Sequence, residues 1–89
     1  MLVEYIQAAM QHCEFEKMED GRFFGTIPPC QGVWADGDTV EQTREILREV
    51  LEDWILVRNR HGMDIPVIDG WDINPKSFAE QYAEADQTT

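Results

Sequence analysis

The sequence is short of positive charge. Lys and Arg together number seven in 89 residues, against 18 Asp and Glu, which leaves a net charge of −11 with both His neutral. A phosphate backbone repels such a chain, so sequence-independent nucleic-acid binding by this chain alone is not expected. Long apolar runs are missing too. None approaches the roughly 18 residues of a membrane span. The start, Met1-Leu2-Val3-Glu4-Tyr5, has no basic stretch and carries an early acid, which is not the pattern of a secretory leader. Cysteine is scarce, with Cys13 and Cys30 alone. Two Cys without an export signal are expected as reduced thiols in the cytoplasm, although a pair is chemically open to them. There is no C-x-x-C, no H-E-x-x-H, no glycine-rich phosphate loop and no internal repeat, so no cofactor and no metal are expected.

What is present is enough for one small domain. Apolar residues make up 43% of the chain, including three Trp, four Phe and two Tyr, which is not the composition of a disordered segment. Leu2, Tyr5, Ile6, Ala9, Met10 and Cys13 recur at three- and four-residue steps and predict an amphipathic helix over 2–12. A strand over 3–8 competes with it, because Val3, Tyr5 and Ile6 also suit sheets. Cys13, Phe15 and Lys17 alternate with Glu14, Glu16 and Met18, the period of a half-buried strand. Asp20-Gly21 supplies a tight turn, and Phe23–Ile27 returns as a second strand until Pro28-Pro29 stops it. Residues 32–35, Gly32-Val33-Trp34-Ala35, read as a third strand, completing an antiparallel meander.

A long helix follows over about 40–60. Two capping boxes overlap at its start, Thr39 with Gln42 and Asp38 with Glu41. Val40, Thr43, Leu47, Val50, Leu51, Trp54 and Ile55 line one face, widened by Ile46 and Val57, and charges cover the other. Arg58, Arg60 and His61 suit the negative end of the dipole, and Gly62 suits the left-handed position just past it. Ile65-Pro66-Val67-Ile68 reads as a fourth strand, on an edge because of its proline. Asn74-Pro75 is a helix-start signal, and Phe78, Ala79 and Tyr82 would share one face of the short helix it opens. Trp34 and Trp54 are expected in the core. Trp71 is divided between its own monomer and a contact with another subunit.

Gly25-Thr26-Ile27-Pro28, then Gly32-Val33-Trp34-Ala35-Asp36-Gly37-Asp38-Thr39-Val40-Glu41, then Arg60-His61-Gly62-Met63-Asp64-Ile65-Pro66 together resemble the HicB-like antitoxin family, in the UPF0150 branch with an N-terminal helix. The motif positions are Gly25, Pro28, Gly32, Gly37, Thr39, Gly62 and Pro66, and the resemblance spans about residues 2–70. It implies an α+β fold, an abbreviated RNase H-like domain of order α-β-β-β-α-β. It also implies a binding role: contact with HicA, a small basic toxin that degrades mRNA, by a homodimer or tetramer. Ile65, Val67, Ile68, Trp71, Phe78 and Tyr82 are the candidate contacts for self-association or partner. Two departures stand out. The second turn reads Pro28-Pro29-Cys30-Gln31-Gly32, with Cys30 where family members often have Leu. The last 19 residues hold a single basic side chain, Lys76, and are too short and acidic for a helix-turn-helix.

Two other readings compete. One is an adaptor that keeps the fold without a toxin partner. The other is a metal-dependent RNase H-like nuclease, for which Glu14, Glu16, Asp36, Asp38 and Asp53 are the available carboxylates. With 18 acids in the chain, chance pairs of this kind are common.

Overall fold

A 10-residue helix, α1 (Leu2–Gln11), opens the chain. The three- and four-residue spacing prevails over the sheet propensity of Val3 and Ile6, because it puts Tyr5, Ile6, Ala9 and Met10 together in the core. The computed structural model describes residues 1–74. Phe78, Ala79 and Tyr82 fall outside the described residues.

Three short strands follow, β1 (Glu14–Lys17), β2 (Phe23–Thr26) and β3 (Trp34–Gly37), in the order β1-β2-β3 with both pairings antiparallel. The first turn uses Asp20-Gly21 differently from a two-residue hairpin. Met18 accepts from the Gly21 N–H at 3.0 Å and donates to the Arg22 carbonyl at 2.7 Å, so the loop has three residues and only Gly21 is left-handed (φ 87°). The Asp20 carboxylate accepts the Arg22 N–H instead, at 2.9 Å. The second link is two successive turns. Cys30 donates to the Ile27 carbonyl and Val33 to that of Cys30, at 2.8 and 3.1 Å, with Gly32 at φ 96°. The second turn takes the Val33 N–H and holds Gly32 left-handed, so β3 begins at Trp34, two residues later than the expected start, and runs through Gly37.

Helix α2 (Val40–Arg60) has the expected span. Its cap is built on Thr39 and Gln42, and the Asp38 N–H, expected to pair with Glu41, goes to Gln42 instead. The Thr39 hydroxyl accepts the Gln42 N–H at 3.0 Å, while the Gln42 side chain reaches past Thr39 to accept the Asp38 N–H at 2.7 Å. At the other end Met63 donates to the Arg58 carbonyl and Gly62 to that of Asn59, with Gly62 at φ 66°, a complete Schellman closure. Thr43, Leu47, Leu51 and Ile55 form the buried stripe, one residue every four, and Ile46, Val50 and Trp54 flank it half-buried. Val57, expected to widen this face, is exposed. The stripe lies across β2 and β3, and α1 packs beside it.

The expected fourth strand is not formed among the described residues. Ile65–Ile68 joins no sheet, and its one bridge is local, between Ile68 and Trp71. Those two exchange backbone hydrogen bonds of 3.2 and 2.8 Å around Asp69-Gly70, both left-handed at φ 49° and 83°, which makes a minimal hairpin. The physical reason is visible at Ile65. Its N–H donates to the Asn74 side-chain oxygen at 2.7 Å and its carbonyl accepts from the Asn74 amide nitrogen at 2.8 Å. One side chain thus does what a neighbouring strand would. Pro66 has no N–H to give, and its carbonyl takes the Tyr5 hydroxyl at 2.6 Å. Asn74's oxygen is thus engaged with Ile65, and the short helix expected after Asn74-Pro75 lies outside the described residues.

Candidate functional site

The pleat of a short sheet sorts its residues into two faces, and here the faces differ sharply. Toward α2 the cross-strand row is Phe15–Gly25–Ala35, with Lys17–Phe23–Gly37 beside it. Both glycines are required by the closeness of α2. A Cβ on Gly25 would lie 2.8 Å from Leu47 Cδ1 and 3.0 Å from Thr43 Cγ2. One on Gly37 would lie 2.7 Å from the Thr43 hydroxyl and 3.1 Å from the Thr43 backbone nitrogen. Thr43 is fully buried, and its hydroxyl donates to the Thr39 carbonyl at 2.7 Å. Three of the motif positions, Gly25, Gly37 and Thr39, thus meet at one helix–sheet crossing.

The other face is uncovered among the described residues. Its two rows are Glu14–Thr26–Trp34 and Glu16–Phe24–Asp36. Trp34 is 57% exposed, so it is not the core residue expected of it. The period of β3 explains the reversal: Val33, Ala35 and Gly37 point to α2, which turns Trp34 and Asp36 outward. Phe24 and Trp34 sit on the diagonal between the rows, ring centroids 5.8 Å apart and tilted by 32°. Exposed Glu14, Glu16 and Asp36 surround them. At one edge Arg22 bridges Asp36 and Asp38, at 3.4 and 3.3 Å.

These positions bear on the nuclease reading. Glu14 and Glu16 do share a face, but α2 and its exposed Asp53 lie on the opposite side of the sheet. Asp36 and Asp38 converge on a guanidinium. No group of three or more His, Cys, Asp and Glu side chains among the described residues is arranged to hold a metal ion.

The remaining expected contacts divide. Ile65 and Ile68 are spent in the monomer's own core at 2% exposure each, whereas Val67 and Trp71 are exposed. Trp54 is half-buried against the core and carries the Arg58 guanidinium 4.8 Å above its ring, while Arg58 Nε donates to the Asp64 carbonyl at 2.7 Å. Cys13 and Cys30 are both free thiols. Burial pushes the Cys30 thiol up. Burial, with Cys30 beside it, pushes the Tyr5 phenol well above its usual range. His12 lies 3.1 Å from both carboxylate oxygens of Asp69, an exposed tie from α1 to the minimal hairpin. No helix among the described residues is long and apolar enough to cross a membrane.

A meander with one long helix on one face and an acidic, aromatic, open second face defines a small α+β domain whose distinctive surface is suited to contact. The chain belongs to the UPF0150-like family, whose model matches residues 4–66. Among solved structures it is similar to TTHA0281 from Thermus thermophilus, at 32% identity and a TM-score of 0.76, over 81% of this chain and 90% of that one. Among curated proteins none matches.

Proposed function

We propose that this chain is an antitoxin of the HicB type, which neutralises a small basic toxin of the HicA type by protein–protein contact. The observation that carries the reading is the net charge of −11 on a chain of this family. A toxin that grips RNA must present cationic surface. An acidic partner competes for that surface and is drawn to it at long range. The acids are spread over the sheet, α2 and the sequence beyond it, so attraction comes from the whole molecule and not from one run. The test is co-expression with a neighbouring gene for a small basic protein of this type. The expected result is a complex that co-purifies at low salt and restores growth. No complex at low salt overturns the reading and leaves the toxin-free adaptor.

Self-association belongs to the same proposal. With Ile65 and Ile68 inside the monomer, Val67 and Trp71 are the described contacts left for a homodimer or tetramer. A monomeric mass by light scattering at micromolar concentration would exclude it.

A further inference from the structure

We infer that the open face of the sheet is the docking surface for an arginine-bearing segment of a basic protein partner. Phe24 and Trp34 form its platform, and Glu14, Glu16 and Asp36 its frame. The inference rests on the reading that the chain binds a basic protein, and adds where and by what chemistry.

Three observations lead to it. First, the aromatic pair and the carboxylates alternate across two rows, so any occupant meets both at once. An apolar partner would cover Trp34 but desolvate Glu14 and Glu16 without compensation. A second copy of this face would set carboxylates against carboxylates, which is repulsive. A cationic segment answers both demands. Second, a guanidinium fits better than an ammonium. It lies flat on an indole and forks to carboxylates, whereas Lys offers a compact, strongly hydrated charge. Third, the chain already makes both contacts within itself. Arg58 lies over Trp54 at 4.8 Å, and Arg22 bridges Asp36 and Asp38 at the edge of this same face. Neither exposed Trp34 nor the Glu14–Glu16 pair has such a cation from within the described chain.

The test needs no toxin. Hexa-arginine is titrated at low salt into the full chain, and the indole N–H signals of Trp34, Trp54 and Trp71 are followed by NMR, with hexa-lysine as the charge-matched control. Trp34 is expected to shift saturably, with hexa-arginine binding about threefold more tightly than hexa-lysine. Trp34→Ala is expected to weaken hexa-arginine by about fivefold, read at the Phe24 amide. The Glu14→Gln/Glu16→Gln double variant, which keeps every aromatic in place, should weaken it by about threefold to tenfold. Glu45→Gln/Glu49→Gln, on the exposed face of α2, should change it by less than about twofold. The inference is overturned if Trp34 does not move, if the shifts fall on Trp71 or Trp54 instead, or if the α2 double variant weakens binding as much as the sheet variant. A toxin that co-purifies equally well with the Glu14→Gln/Glu16→Gln chain would also remove this face as the site while leaving the antitoxin reading intact. Saturable hexa-arginine binding at Trp34 with no toxin complex would do the reverse.

Discussion

Gly25 and Gly37 show why a small side chain can be a strong constraint. Neither has a left-handed φ, so the demand is not backbone freedom but distance: α2 crosses the sheet at Thr43 with no room for a Cβ. Gly25→Ala should cost about 1–3 kcal/mol in denaturant unfolding, the range for overpacking. Gly37→Ala should cost more, because one of its close neighbours is helix backbone, which cannot change rotamer. Tyr5 is a second such residue, fully buried with its hydroxyl on the Pro66 carbonyl. Its phenol is protonated in the fold and shifted upward from an ordinary value of 10.0, and the Cys30 thiol from 9.0. The folded state holds these protons more tightly than the unfolded one. Stability is therefore complete below about pH 9 and falls as pH rises through 10 and beyond, by at most about 1.4 kcal/mol per pH unit for each group. Denaturant midpoints between about pH 8 and 11 measure this. Tyr5→Phe should lose about 0.5–1.5 kcal/mol at neutral pH and show a shallower alkaline decline.

Among the elements, α2 was the most legible, since 21 residues of three- and four-step periodicity with caps at both ends leave little choice. The strands were legible as elements but not in phase. Nothing local tells a four-residue strand such as Trp34–Gly37 which of its faces will meet a helix. Trp34 has the composition of a core residue and ends outside because small Ala35 and Gly37 are what α2 tolerates. The fourth strand failed for a different reason. Ile65–Ile68 has a strand's composition, but a residue nine positions away supplies its pairing through a side chain. Asn74→Ala should leave the buried Ile65 N–H and carbonyl unpaired and cost about 1–3 kcal/mol. Hydrogen exchange should show the Ile65 amide losing protection while α2 amides change less. Equal loss across α2 would mean that the 63–74 segment unfolds only with the whole domain.

For the whole molecule the governing quantity is charge. The described ion pairs are few and exposed, such as Arg48–Glu52 at 3.6 Å and the two at Arg22, and they leave most of the 18 acids uncompensated. Association with the basic toxin proposed above should therefore be fast at low salt. Its rate constant should fall by about tenfold or more between roughly 20 and 200 mM salt, with the dissociation rate changing less. Stopped-flow kinetics across that range checks it. A salt-independent association rate would place the affinity in apolar contact and count against the acidic surface as the recognition element.

The sequence by itself determined the acidic α+β character of residues 1–74, where the long helix runs, which glycines turn the chain and which family it resembles. Those properties rest on composition, periodicity and local turn chemistry, all written within a few residues of each other. Only the tertiary structure decided which face of the sheet α2 covers, that Asn74 replaces a fourth strand at Ile65, and that Phe24 and Trp34 share the open face with Glu14, Glu16 and Asp36. These depend on contacts between residues far apart in the chain. The side a short strand buries is set by what packs against it, and that partner is not encoded in the strand.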